Sequence, residues 1–290
     1  MPSLTRRTEE IAEAINLFDA IFSHDHSSPA IRFGQREVTY GELRAETLKM
    51  AQAIVSLGAV RGDRVALLLH DSPEFIEAFI ATCCLGAIAV PINMSLRAEE
   101  QCSILHNSGA KHALIEGDIR HELLTHAPEK LHSLENVVQI DRIYRTESSA
   151  AGDPEFPEPA HDDPAFILYT SGSTGEPKGA VHTQADIFYT NQTFCREVLR
   201  LTTQDRLFSS SRLPFAYGLG NSFTFPLLNG ATTILCRQKP SPDVIAAVFK
   251  EHRPTIFFGV PVIYNLLLEH HRAGGMKLDC SSLRLCVSAG

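Results

Sequence analysis

The chain has 290 residues, of which 26 are Lys or Arg and 34 are Asp or Glu, giving a formal charge of −8, and 44% are hydrophobic. These proportions are those of an ordinary soluble globular protein and exclude a collagenous, disordered or disulfide-scaffold chain. No basic run or aromatic-basic interleaving is present for a nucleic-acid surface, so any attraction for an anion has to be local.

At the N-terminus Arg6 and Arg7 stand among Glu9, Glu10 and Glu13 without an unbroken apolar stretch, and no secretory signal is expected. The apolar region 75–92 is interrupted by Glu77 and by turn residues, so it reads as a helix followed by a strand and not as a membrane span. The seven cysteines form no C-x-x-C pair and fit reduced, buried thiols of a cytoplasmic protein. The thirteen histidines include no H-E-x-x-H, and no metal-ligating set is expected.

Residues 30–33 and 37–38 read as two short strands around Gly34-Gln35. Thr39 and Glu42 have the spacing of a capping box, and Leu43, Thr47, Met50, Ile54 and Leu57 follow at helical steps up to Gly58. A strand is expected at 64–69, then a helix capped by Ser72 with Pro73 at its first position. A strand at 87–90, a helix at 98–107 closed by Gly109, and a strand at 112–115 complete the series. This alternation predicts an α/β fold, doubly wound, with mostly parallel sheets and helices on both faces.

Residues 145–164 hold four prolines among small and acidic residues with no period, so an exposed linker between two sheets is expected there. The chain then divides into a first sub-domain at 9–144 and a second at 165–290.

The second sub-domain opens with an apolar run, 165–169, that reads as a buried strand. It empties into a stretch containing Gly172, Gly175 and Gly179. Glycines let successive backbone N–H groups close on an anion. Thr170, Ser171, Ser173 and Thr174 add hydroxyl donors, and Lys178 adds a compact positive charge. The spacing fits neither the Walker pattern nor the dinucleotide fingerprint.

The run YTSGSTGEPKG from Tyr169 to Gly179 resembles the phosphate-binding signature of the adenylate-forming superfamily, which includes acyl-CoA synthetases, adenylation domains and luciferases. TYGEL near residue 40 and CLGAIAVPINMSL from Cys84 resemble the same family more weakly. The resemblance implies that Thr170, Ser171, Gly172, Ser173, Thr174, Gly175 and Lys178 hold the β- and γ-phosphates of ATP. A helix is expected at 184–199 with Thr183 as its N-cap, its positive end near that anion.

Residues 213–228 mix Phe215, Tyr217, Phe223 and Phe225 with Gly218 and Gly220, and on chemistry alone they could simply begin a core helix. The resemblance places the start of the acyl pocket here, at Phe215, Ala216, Tyr217 and Gly218. No carboxylate occurs between Arg212 and Asn229. A buried ammonium would lack its counter-charge, which disfavours an amino-acid substrate. The wording FAYGLGN followed by TFPL is similar to the benzoate-CoA ligase branch and implies a flat aromatic acid, with a medium-chain or alicyclic acid as the alternative.

Strands are expected at 231–235, 255–258 and 283–288 and helices at 242–251 and 261–271. The resemblance makes Ser288, Ala289 and Gly290 one wall of the adenine site. It implies ATP, Mg2+ and coenzyme A as co-substrates, and a small carboxylic acid as the partner. It also implies that the magnesium glutamate, the ribose aspartate and the adenylation lysine lie downstream, within a large domain that this chain leaves incomplete. The chain alone is therefore expected to be inactive, as a fragment that at most binds nucleotide or acid weakly.

Overall fold

The computed structural model describes residues 16–117, 123, 125, 128–145, 154–158, 160, 162–170, 177–275 and 277–289. Helix α1 (Leu17–Phe22) starts where the Asn16 side chain accepts from the Phe18 N–H. Strands β1 (Pro29–Phe33) and β2 (Arg36–Thr39) form a hairpin turned at Gly34, whose φ of 56° favours glycine. Helix α2 (Tyr40–Ser56) opens on the expected capping box: the Glu42 N–H donates to Thr39 Oγ1 at 3.1 Å and the Thr39 N–H donates to Glu42 Oε2 at 2.8 Å.

Strand β3 (Arg64–Leu68) leads to α3 (Pro73–Cys84), capped by Ser72 with proline at its first position. Strand β4 (Ile88–Pro91), α4 (Ala98–Ser108) and β5 (His112–Ile115) follow, and Gly109 closes α4 in the left-handed conformation. After β6 (Asn136–Gln139) and α5 (Ile140–Arg145), strands β7 (Pro164–Thr170) and β8 (Lys178–Thr183) complete one six-stranded sheet in the order β6-β5-β3-β4-β7-β8. All its pairs are parallel except β7 with β8.

Alternation along β3 shows that both faces of this sheet are covered. Val65 and Leu67 pack with Phe75 and Phe79 of α3, whereas Ala66 and Leu68 pack with Cys102 and Leu105 of α4. The strand order reverses about β3, with β4 on one side and β5 on the other. Such a reversal opens a crevice at the carboxyl ends of the strands.

Helix α6 (Gln184–Thr190) continues as a π-helical stretch, Asn191–Leu199. Strand β9 (Arg206–Ser209) is followed by two short helices, α7 (Ala216–Leu219) and α8 (Phe225–Leu228), joined by π-helical Gly220–Thr224. Strand β10 (Thr232–Leu235), α9 (Pro242–His252), β11 (Ile256–Gly259), α10 (Pro261–Arg272) and β12 (Leu285–Ser288) end the chain's regular structure. The second sheet has the order β12-β11-β9-β10-β1-β2 and is parallel except for β1 with β2.

The two sheets do not divide at residues 145–164. Strands β1 and β2 lie in the second sheet, where Ile31 pairs with Thr233, and β7 and β8 lie in the first, where Ala89 pairs with Phe166. The segment between α5 and β7 therefore returns to the sheet it left. It is not wholly exposed either, since the Phe156 ring packs on Phe18 with centroids 4.9 Å apart. Composition gives polarity and lack of period, but strand pairing is decided by burial elsewhere in the chain. One core joins the sheets: Ile31, Leu43, Leu67, Phe79 and Phe223 belong to it, and the rings of Phe79 and Phe223 meet edge to face at 5.2 Å.

Candidate active site

Strand β7 ends at Thr170 and β8 begins at Lys178, and the two are a cross-strand pair. Both are exposed, so a hydroxyl and an ammonium stand side by side at the mouth of the intervening loop. Ser171, Gly172, Ser173, Thr174 and Gly175 lie outside the described residues, as does Gly290. One rung back, Tyr169 pairs with Gly179 and its hydroxyl donates to Asn107 Oδ1 at 2.7 Å. A Cβ on Gly179 would stand 2.7 Å from Ile167 Cγ2 and 3.0 Å from Tyr169 Cζ, so this glycine is needed for close side-chain approach across the hairpin.

The expectation about helix α6 is corrected by strand β8. Thr183 does cap α6, accepting from the Asp186 N–H, but Thr183 pairs with Pro164 at the opposite end of the hairpin from Lys178. The six residues of β8 place the helix N-terminus roughly 17 Å from the loop mouth, beyond the reach of a first-turn dipole. Periodicity did not reveal β8 because KGAVHT follows the glycines without a regular apolar alternation.

The segment after β9 bends over the carboxyl end of the second sheet. Phe215 is exposed, Tyr217 half-buried and Gly218 buried. The Tyr217 ring meets Phe258 of β11 edge to face, and its hydroxyl donates to the Val287 carbonyl at 3.4 Å. Tyr264 of α10 donates to the same carbonyl at 2.9 Å. Ser288, next in β12, pairs with Gly259, and both Ser288 and Ala289 are exposed. Tyr217, expected to touch an acid, therefore contacts β12 one residue before Ser288, expected to face adenine. A Cβ on Gly218 would lie 2.0 Å from the Arg212 carbonyl oxygen, so no side chain fits there.

A charged cluster that periodicity did not single out joins the carboxyl ends of the two sheets. Asp71, just beyond β3, accepts from the Leu213 N–H at 3.1 Å and faces Arg212 Nη1 at 3.5 Å. Arg212 also donates to the carbonyls of Cys236 and Arg237, each at 2.9 Å. Glu116, just beyond β5, accepts from the N–H and ring of His70 and pairs with Arg237. Burial pushes the Asp71 carboxyl up to about 6, against the opposing pull of Arg212 and the Leu213 N–H. Burial also acts on Glu116, but His70 and Arg237 hold its carboxyl below the usual range. The one sequence signal for this cluster is the polar pair His70-Asp71 directly after an apolar strand.

Beside this cluster a cavity of about 10 Å³ is lined by Asp71, Ser209, Ser210, Arg212, Gln238 and Val244. That volume has room for about one water molecule and is too small for an aromatic acid. Among the described residues, no group of three or more His, Cys, Asp or Glu side chains could hold a metal ion. Thr170 and Lys178 have the chemistry for an anion, whereas the described residues offer no set for Mg2+. No helix of the described residues is long and apolar enough to cross a membrane.

Comparison with known proteins places this site in context. A family model described as AMP-binding enzyme matches residues 18–290. A benzoate-CoA ligase of Thauera aromatica is 32% identical over 265 residues, covering 87% of this chain and 48% of that protein. An anthranilate-CoA ligase of Pseudomonas aeruginosa is 33% identical over 279 residues, covering 95% of this chain and 53% of that one. The crystal structure of the anthranilate CoA ligase AuaEII with anthranoyl-AMP superposes with a TM-score of 0.86 at 28% identity, over 98% of this chain and 55% of that one. The chain spans about half the length of the curated relatives it matches.

Proposed function

The chain belongs to the family of AMP-binding enzymes, and from that premise we propose that the protein carrying it is an ATP-dependent acid-CoA ligase acting on an aromatic carboxylic acid such as benzoate. In this reading a carboxylate oxygen attacks the α-phosphorus of ATP, the bond to pyrophosphate breaks, and an acyl-adenylate forms. The thiol of coenzyme A then attacks the acyl carbon and AMP leaves with the electron pair of the broken C–O bond. The attacking group is already ionised, so catalysis is positioning and charge stabilisation more than proton transfer.

Thr170 and Lys178, with Ser171, Gly172, Ser173, Thr174 and Gly175, hold the departing phosphates. Phe215 and Tyr217 offer ring faces and edges to the acid, Ala216 leaves space for it, and Gly218 lets the turn close on the Arg212 carbonyl. Ser288, Ala289 and Gly290 wall the adenine. Mg2+ neutralises phosphate charge when the nucleotide brings it, and no residue of this chain is assigned to it. The observation that most supports the reading is the contact of Tyr217, assigned to the acid, with the carbonyl of Val287, the residue before the segment assigned to adenine. An aromatic acid is favoured by the relatives' activities and by the lack of a carboxylate between residues 212 and 229.

The test is acid-dependent exchange of pyrophosphate into ATP by the complete protein. Benzoate or a ring-substituted benzoate is expected to support exchange far better than a medium-chain acid, an alicyclic acid or phenylalanine, with AMP as the nucleotide product. Release of ADP, or equal exchange with all acids, overturns the reading. The 290-residue chain alone is proposed to give no turnover above background, consistent with its covering 48% of the benzoate-CoA ligase.

A further inference from the structure

We propose that Asp71 is a positioning residue for the acid-binding segment, an inference that rests on the ligase reading above. The carboxylate belongs to the first sheet, where it follows β3, and it is 7% exposed. Its two contacts are with the other sheet's segment: the Leu213 N–H on Oδ1 and the Arg212 guanidinium near Oδ2. Leu213 is fully buried, so its N–H has no water to fall back on if the carboxylate is removed.

Arg212 passes the constraint on in two directions. Its guanidinium is bound by the carbonyls of Cys236 and Arg237, just past β10, which fixes it against the second sheet. Its own carbonyl accepts from the Phe215 N–H at 3.1 Å and is the atom against which Gly218 packs. The turn 212–218 is thus held at its start by Asp71 and at its far side by Tyr217 on Val287. Phe215 and Ala216 lie between these two anchors and are exposed. Where their side chains stand is set at the start of the turn by Asp71, which does not itself meet the acid.

A buried carboxylate costs desolvation free energy, which Arg212 and the Leu213 N–H only partly offset. An asparagine would supply an acceptor for the N–H without that cost. The charge therefore matters for holding the guanidinium. His70, Glu116 and Arg237 close the cluster on its other side and pin the residue next to Asp71.

The experiment compares Asp71→Asn and Asp71→Ala with the parent in the complete protein, measuring KM for the aromatic acid and for ATP separately. Asp71→Ala is expected to raise KM for the acid at least tenfold while KM for ATP stays within twofold, and Asp71→Asn to show a smaller rise. Equal rises in both constants, or an unchanged acid KM, overturn the proposal. If Asp71→Ala does not fold, Asp71→Asn carries the comparison. If the parent itself shows no acid-dependent exchange, the ligase reading fails, and amide hydrogen exchange decides the role of Asp71. Faster exchange over 213–219 in Asp71→Asn, with α2 unchanged, supports it. Unchanged exchange in that segment overturns it.

Discussion

The ring of Tyr169 lies over the backbone of Gly179, the residue opposite it in the β7–β8 hairpin, and a Cβ at position 179 would come within 3.0 Å of Tyr169 Cζ. Because Ile167 Cγ2 would be closer still, at 2.7 Å, a methyl group there forces both side chains to move. Overpacking of this kind costs about 1 to 3 kcal/mol. Gly179→Ala is expected to lower Tm and to raise KM for ATP by about tenfold, since the rung it disturbs adjoins Thr170 and Lys178. Pyrophosphate exchange at varied ATP checks this, and an unchanged KM with an unchanged Tm sinks it.

Lys178→Ala removes the ammonium at the loop mouth. A charge-assisted hydrogen bond contributes roughly 1.5 to 3 kcal/mol, so ATP affinity should fall by about ten- to a hundredfold. KM for the acid should stay near its parent value, because residues 215–218 are held by other contacts. A loss confined to the acid side would place the lysine elsewhere.

Glu77 is 1% exposed on α3, and the Tyr144 hydroxyl donates to it. Burial pushes its carboxyl up to about 8 from an ordinary 4.5. The folded state therefore keeps a proton that the unfolded chain releases. This contribution to stability is complete below pH 4.5 and is lost as pH rises through 8. Glu77→Gln is expected to flatten the decline in Tm between about pH 5 and 9. The same pH slope in the variant and the parent would rule out this assignment.

Asp205 is 3% exposed, and Arg284 donates to its two oxygens at 2.7 and 2.8 Å from Nε and Nη2. The Thr202 N–H at 2.9 Å, the Thr202 hydroxyl at 3.1 Å and the Thr255 hydroxyl at 2.8 Å donate to it as well. Burial opposes ionisation, but these donors hold the carboxyl below the usual range, so its contribution is present above pH 3.8 and is lost as pH falls. Asp205→Ala leaves a guanidinium without its partner and is expected to cost about 3 kcal/mol, toward the low end for a broken buried pair because Arg284 is partly exposed. Urea denaturation measures it, and a loss below about 1 kcal/mol refutes it.

Much of the fold could be read from local chemistry. The Thr39–Glu42 box, Ser72-Pro73 and Gly109 mark helix ends at the expected places, because caps depend on neighbours in sequence. Strand β8 and the placement of β1 with β10 could not be read, because they depend on partners remote in the chain. At the candidate site, Thr170, Lys178 and Tyr217 stood out by motif. Asp71, Arg212 and Glu116 did not, because a lone charge after a strand gives no hint of a guanidinium 141 positions later.

Each sheet is finished by a hairpin taken from the other part of the sequence, and this has a consequence for synthesis on the ribosome. When β1 and β2 leave the exit tunnel, β10, against which β1 pairs, has yet to be translated. The apolar side chains of Ala30 and Ile31 must wait for some two hundred further residues, about 10 to 40 seconds of elongation. The nascent chain therefore carries an unsatisfied strand edge throughout that interval, and chaperone demand in vivo should depend on elongation rate as well as on final stability.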